Sequence, residues 1–181
     1  MSNKTFLIAL VVCATAAVVF LARAQDKSAA PATHAPTVAI QSTEADRAPF
    51  TKIEKPDEEW RVALSPKQFS VMRKKGTEAP RSSPLLAEHR NGVFRCAACD
   101  LPLFASDAKF ESGTGWPSFT KPFVDSNVFT AKDSSMGMER DEVLCARCGA
   151  HLGHVFDDGP APTHLRYCMN GVTLKFEPRD Q

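Results

Sequence analysis

Charge of one sign is missing from this 181-residue sequence: 22 Lys and Arg stand against 21 Asp and Glu, a formal net charge of +1. No broad basic field is available to attract a nucleic acid, so that class of partner is excluded. No internal repeat appears beyond two Cys-x-x-Cys units, which excludes a repeat architecture. Tyrosine is nearly absent, 1 residue against 12 Phe, but this excludes nothing. After Asn91 no apolar run is long enough for a helix. What remains fits a globular protein, with 43% hydrophobic and 24% charged residues, and the length suits one domain plus accessory sequence.

The accessory sequence is N-terminal. Lys4 precedes an uncharged stretch from Phe6 to Leu21, followed by Ala22-Arg23-Ala24. This is the order of a secretory signal ending in a small-x-small cleavage site, with Gln25 as the mature start. The run is short for a bilayer span, which takes roughly 20 apolar residues. Residues 1–24 are therefore read as a signal peptide, with an uncleaved N-terminal anchor as the alternative. Export to a periplasm or secretion follows, and membrane contact is expected only if the segment is retained. Cys13 lies within the apolar run and leaves with it. Residues 25–54 are rich in Ala, Pro and Thr without apolar period. They are read as a flexible linker, because such a composition buries too little surface to offset ordering entropy. The folded domain is expected over residues 55–178.

Ser65-Pro66-Lys67-Gln68 is a capping box. The Ser hydroxyl and the Gln amide can each satisfy a free backbone group at a helix start, and Pro66 falls where its missing N–H costs nothing. Leu64 and Phe69 occupy the staple positions, and Gly76 is a natural stop. A weaker helix is expected near Pro84–His89. Beyond it, segments around Val93–Arg95, Asn127–Thr130, Glu142–Leu144, His154–Phe156, Leu165–Cys168 and Val172–Phe176 read as strands. The fold class is mainly β, antiparallel, with one or two N-terminal helices.

Cysteine is the informative residue. Cys96-Ala97-Ala98-Cys99 and Cys145-Ala146-Arg147-Cys148 are two knuckles that could complete a tetrahedral four-sulfur zinc site. The 45 residues between them exceed the spacing of small zinc modules, so the metal would clip separate parts of the fold. A closed site of this kind is structural. Disulfides are the competing reading in an oxidising compartment, and redox-active Cys-x-x-Cys pairs are another. Gly149 after the second knuckle favours metal.

Cys168 is then left over. An odd cysteine in an exported protein is either reactive or simply buried. Arg166 and Asn170 would share its face on a strand, and a guanidinium nearby favours the thiolate. His151, His154 and His164 lie within 17 residues upstream.

Gly113-Thr114-Gly115-Trp116-Pro117-Ser118-Phe119, His151-Leu152-Gly153-His154-Val155-Phe156-Asp157-Asp158-Gly159-Pro160 and Arg166-Tyr167-Cys168-Met169-Asn170 resemble three signature segments of the methionine-R-sulfoxide reductase B family. Gly76-Thr77-Glu78 resembles that family's N-terminal segment, and both knuckles fall where zinc-binding members carry them. The resemblance runs from about Trp60 to Phe176.

The resemblance implies two antiparallel sheets with peripheral N-terminal helices and one structural zinc ion. It implies reduction of methionine-R-sulfoxide, free or within oxidised proteins, by a monomer that uses a thioredoxin-like or other thiol reductant. Cys168 aligns with the nucleophile and Trp116 with the aromatic that meets the substrate methyl. His151, His154 and Asn170 align with polar residues around the sulfoxide oxygen. Arg166 is read as stabilising the thiolate. Each has a plainer reading: Trp116 as core, the histidines as surface or knuckle-supporting residues, Arg166 as a solvated strand charge, and Asp157 and Asp158 as a turn. Many family members carry a resolving cysteine where this sequence has Thr114, so recycling by an external thiol is expected. The alternatives are a non-enzymatic zinc-binding module and an exported disulfide oxidoreductase.

Overall fold

The computed structural model describes residues 39–179. The expected signal segment, Cys13 and the first part of the expected linker lie outside them. Among the described residues no helix is long and apolar enough to cross a membrane.

Three short helices come first: α1 (Glu44–Arg47), α2 (Asp57–Ala63) and α3 (Pro66–Lys74). Nine strands follow: β1 (Gly92–Cys96), β2 (Pro102–Ala105), β3 (Lys109–Phe110), β4 (Ser118–Phe119), β5 (Val128–Asp133), β6 (Arg140–Cys145), β7 (His151–Phe156), β8 (Arg166–Met169) and β9 (Leu174–Pro178). They form two antiparallel sheets, one of order β2-β1-β9 and one of order β3-β4-β8-β7-β6-β5. The mainly β class, the paired sheets and the N-terminal helices are as expected.

The core lies where the sheets meet. Phe104 of β2 stacks on Phe119 of β4 at 4.5 Å between ring centroids, and Phe94 of β1 meets Phe119 edge-on at 5.0 Å. All three rings are fully buried. Each contributes about 2–3 kcal/mol by burial, so this cluster joins the sheets wherever the main chain does not.

Helix α3 begins as the capping box requires. The Gln68 N–H donates to Ser65 Oγ at 3.3 Å, and the Ser65 N–H donates to Gln68 Oε1 at 3.1 Å. Its end differs from expectation, since Lys75, not Gly76, takes the left-handed conformation, at φ 54°. That twist lets the Lys75 ammonium reach Glu142 on β6 at 2.7 Å. The second expected helix is one 3-10 turn, Pro84–Ala87. Helix α2 was not foreseen because Trp60 is its one buried residue and no apolar period exists.

The linker expected through residue 54 needs correction at its C-terminal end. Thr43 and Asp46 form a capping box that starts α1. Asp46 is buried and receives two bonds from the Arg179 guanidinium, at 2.9 and 2.7 Å. The Ile53 N–H donates to the Arg147 carbonyl at 2.7 Å, and Phe50 and Ile53 pack on the core. A composition argument counts apolar residues and so misses a segment held by one buried ion pair and a few hydrogen bonds.

Burial works to raise the Asp46 carboxyl, but hydrogen bonds from Arg179 and Thr43 outweigh it and hold the group down at about 2. A depressed carboxylate stabilises the fold above its unfolded value of about 3.9 and stops doing so as pH falls through its folded value. The wild type should therefore exceed Asp46→Asn in urea-unfolding free energy at pH 6. That margin should shrink below about pH 4 and vanish near pH 2.

Candidate active site

Strands β1 and β6 both end in a knuckle, and the two knuckles share one hydrogen-bond pattern. In the first, the Cys96 N–H donates to Leu101 O at 2.8 Å and the Asp100 N–H donates to Cys96 O at 2.9 Å. In the second, the Cys145 N–H donates to Ala150 O at 3.0 Å and the Gly149 N–H donates to Cys145 O at 2.9 Å. The fifth position is left-handed in each, Asp100 at φ 70° and Gly149 at φ 68°. Glycine and aspartate are residues that tolerate this region.

The four sulfurs lie within 4.8 Å of one another. The nearest approaches run between knuckles, Cys96 to Cys148 at 3.7 Å and Cys99 to Cys145 at 3.5 Å. A disulfide needs sulfurs about 2.05 Å apart. A tetrahedral ion about 2.3 Å from each sulfur needs them about 3.8 Å apart. The arrangement fits the ion. Arg147 donates to the Cys99 carbonyl at 3.3 Å and Arg73 to the Cys148 carbonyl at 3.1 Å, so basic residues brace both knuckles.

The second constellation surrounds Cys168 on β8. Antiparallel pairing sets Cys168 opposite Ser118 of β4 on one side and His154 of β7 on the other. Directly opposed residues share a face, with Cβ atoms about 4.5–5.5 Å apart. Gly153 permits the approach of β7 to β8, since a Cβ there would stand 2.2 Å from the Cys168 carbonyl oxygen. The result is a cleft of about 130 Å³ walled by Trp116 and Phe156, with Thr77, Arg140, His154 and Asn170 around the half-buried Cys168. Thr114 Oγ1 lies 3.8 Å from the Cys168 sulfur.

Each wall has its own support. The Trp116 indole N–H donates to the Glu78 carbonyl at 3.1 Å. The loop that carries it turns at Gly115, φ 93°, whose carbonyl accepts from the Arg81 N–H at 2.7 Å. His154 Nε2–H donates to Asp133 at 2.7 Å. Hydrogen bonds from Ser135 and His154, with the Arg140 charge, hold the Asp133 carboxyl far below the usual carboxylate range.

His151 is buried behind His154, with ring centroids 5.4 Å apart, and its Nδ1–H donates to Glu142 at 2.7 Å. Burial lowers its pKa despite Glu142. Asn170 lies past the end of β8, on the turn that follows, and not on the strand face beside Cys168 as expected. Thr173 draws the chain into that turn through two bonds to the Asn170 carbonyl. The Asn170 amide donates to Leu152 O at 3.1 Å and accepts from the Glu78 N–H at 3.0 Å. Arg166 forms a two-pronged pair with Asp158, both contacts at 2.7 Å, and lies over Phe156 at 4.4 Å. Asp158 is thus an ion-pair partner rather than only a turn residue.

The cleft therefore gathers Cys168, Trp116, His154 and Asn170 and leaves His151 and Arg166 outside its lining. Sequence reasoning missed Asp133, Arg140 and Glu142, which no local pattern marks, because strand pairing alone brings them to β7. Thr77 and Phe156 stand inside the motif segments, but nothing in their local pattern marks a role.

The SelR domain model matches residues 64–178. The peptide methionine sulfoxide reductase MsrB of Pseudomonas putida (strain W619) is 57% identical over 129 residues, covering 71% of this chain and 97% of that protein. The protein of the same name from Bradyrhizobium diazoefficiens is 56% identical, covering 71% and 92%. That from Methanosarcina barkeri is 53% identical, covering 71% and 91%. The chain belongs to the MsrB family of peptide methionine sulfoxide reductases. Both knuckles and every cleft residue named above fall inside the matched region. Cys96, Cys99, Cys145 and Cys148 are the structural zinc site of this MsrB-family domain.

Metal-binding energy is folding energy for a site that the unfolded chain does not preform. Stripping the zinc with a strong chelator, or replacing Cys96 by Ser, should lower the melting temperature by about 10 °C or more. Calorimetry with metal analysis of the same samples checks this, and an unchanged melting temperature in metal-free protein would contradict a structural role.

Proposed function

We propose that this chain reduces methionine-R-sulfoxide, within oxidised proteins or free, to methionine through a sulfenic acid on Cys168. The observation that carries the reading is the single cleft in which the Cys168 sulfur faces both an indole wall and a carboxylate-anchored histidine. A sulfoxide bears an apolar methyl and a polar oxygen on one stereogenic sulfur. With the methyl against Trp116 and the oxygen toward His154, only one epimer presents its sulfur to Cys168. The family resemblance supports the R epimer.

The Cys168 thiolate attacks the substrate sulfur to form an S–S bond as the oxygen takes up a proton; the resulting hydroxyl then passes from the substrate sulfur to the Cys168 sulfur as the S–S bond breaks and methionine leaves. His154 stands where it can deliver that proton, with Asp133 fixing its ring. The net step converts the thiol and the sulfoxide into a sulfenic acid and methionine, the first reversible rung of thiol oxidation. Asn170 borders the oxygen side, and Arg166, two residues before Cys168 on the same face of β8, contributes positive charge beside it. Zinc supplies no chemistry to this step; its four sulfurs hold the fold.

Recycling follows from what surrounds the nucleophile. The group nearest Cys168 in the Gly-Thr-Gly-Trp loop is the Thr114 hydroxyl, and the knuckle cysteines are committed to metal. An external thiol, of a thioredoxin-like protein or a small molecule, therefore attacks the sulfenic acid with loss of water. A second thiol then releases Cys168 and leaves the reductant as a disulfide. We place the enzyme outside the cytoplasm, as a periplasmic or secreted repair enzyme, from the N-terminal segment alone. A non-enzymatic zinc module would leave the Cys168 cleft without a purpose.

With dithiothreitol as reductant and separated epimers of a methionine-sulfoxide peptide, wild type should turn over R and not S. Cys168→Ser should lose at least about 1,000-fold. A folded, zinc-loaded wild type inactive on both epimers would sink the reading. Thr114→Cys should form an internal disulfide with Cys168 after one turnover, detected by mass spectrometry, whereas the wild type should form none.

A further inference from the structure

We propose that Glu78 is a positioning residue for this reaction, linking the indole wall of the cleft to its polar side. The proposal rests on the reductase reading above. Four bonds made by one residue carry it. The Glu78 carbonyl accepts from the Trp116 indole at 3.1 Å, and the Glu78 N–H donates to the Asn170 amide oxygen at 3.0 Å. Its carboxylate, buried to 1% exposure, accepts from the N–H groups of Gly171 and Val172, at 2.5 and 3.1 Å. Lys67 of α3 is the nearest cation, at 3.9 Å.

Trp116 and Asn170 come from different elements, the loop before β4 and the turn after β8. The residues that name the proposed reaction do not touch one another through these bonds. They meet through Glu78. The carboxylate clamps the 78–83 segment onto the turn that carries Asn170, and Gly171 makes the clamp close. A Cβ at Gly171 would stand 2.0 Å from the Ser83 hydroxyl and 3.3 Å from the carboxylate. A buried carboxylate satisfied by backbone donors is a strong, directional tie. Replacing the carboxylate by an amide would leave one of these two N–H donors facing an NH2 group instead of an oxygen, and that donor would lose its partner. The Arg81-to-Gly115 bond would still hold the Trp116 loop nearby. The indole and the Asn170 amide would therefore lose orientation without detaching. Glu78 touches neither substrate nor the reacting atoms, so it acts through Trp116 and Asn170.

The test uses the full chain with Trp60→Phe as background, which leaves Trp116 as the sole tryptophan of the original two. Glu78→Gln keeps the side-chain volume and removes the charge; Glu78→Ala removes the clamp. Per folded molecule, Glu78→Gln should lower kcat/KM for the R-sulfoxide peptide about ten-fold, mostly through KM. The rate at which iodoacetamide alkylates Cys168 should stay within two-fold of background, because β8 is held independently. Trp116 emission should shift to the red as the indole loses its fixed carbonyl. If Glu78→Ala fails to fold, Glu78→Gln carries the test alone. Unchanged KM with unchanged Trp116 emission in folded Glu78→Gln, any activity loss tracking only melting temperature, would overturn the proposal. A background enzyme inactive on both epimers would count against the reductase reading instead. The emission comparison would then decide the positioning by itself.

Discussion

The four-sulfur clamp is the constraint on which the rest of the molecule depends. It joins the end of β1, in one sheet, to the end of β6, in the other. Among the described residues no ladder hydrogen bond crosses between the sheets, so the metal and the shared core around Phe94, Phe104 and Phe119 join them. The aromatic cluster supplies energy without direction, because hydrophobic burial is not directional. The clamp supplies direction. Fixing Cys145 fixes β6, and β6 carries Glu142 and Arg140 toward the cleft, Glu142 lying about 10 Å along the strand from Cys145 at ~3.4 Å per residue. A closed metal site thus reaches the Cys168 cleft through strand register, with no bond to it.

A second layer of dependence runs from α3. Lys75, at its left-handed end, pairs with Glu142, which in turn holds His151. Three residues later Glu78 binds the Trp116 indole and the Asn170 amide. Neither Lys75 nor Glu78 lines the cleft, yet Glu78 anchors partners on two of its sides and Lys75 anchors the Glu142–His151 pair behind His154. The capping box at Ser65 therefore does more than start a helix. It fixes the phase of the segment whose exit delivers Lys75 and Glu78 to separate buried acceptors and donors.

The sequence revealed whatever depends on local pattern or on cysteine spacing. The α3 cap, six of the strands and the two knuckles were legible because a side chain bonds its own backbone, or because alternation and Cys-x-x-Cys recur at fixed offsets. Strands β2, β3 and β4 were not, since the four residues of β2 are buried on both faces and show no alternation, and two-residue ladders have no period to detect. Asp46 hid inside a polar, proline-rich stretch because its partner, Arg179, lies 133 residues away. Asp133 and Glu142 escaped for a related reason. Their meaning comes from cross-strand register, of β6 with β7 for Glu142 and of β5 with β6 for Asp133, and register is a property of the folded sheet. The motif segments did name the loop, strand and turn that converge on Cys168, but not the residues that hold them there.

The two histidines show how much that support decides. They sit three residues apart on β7 and each donates to one carboxylate, so the sequence treats them alike. The fold separates them. His151 is buried, and burial opposes its protonation. His154 is directly opposite Cys168 and borders the cleft, with a carboxylate behind it that two neighbours keep ionised. A group that must hand a proton to a departing oxygen has to reach it, so geometry assigns that task to His154 before any titration is considered. His151 is left as the buried surface against which the His154 ring is set, and Glu142 and Lys75 hold that surface in place.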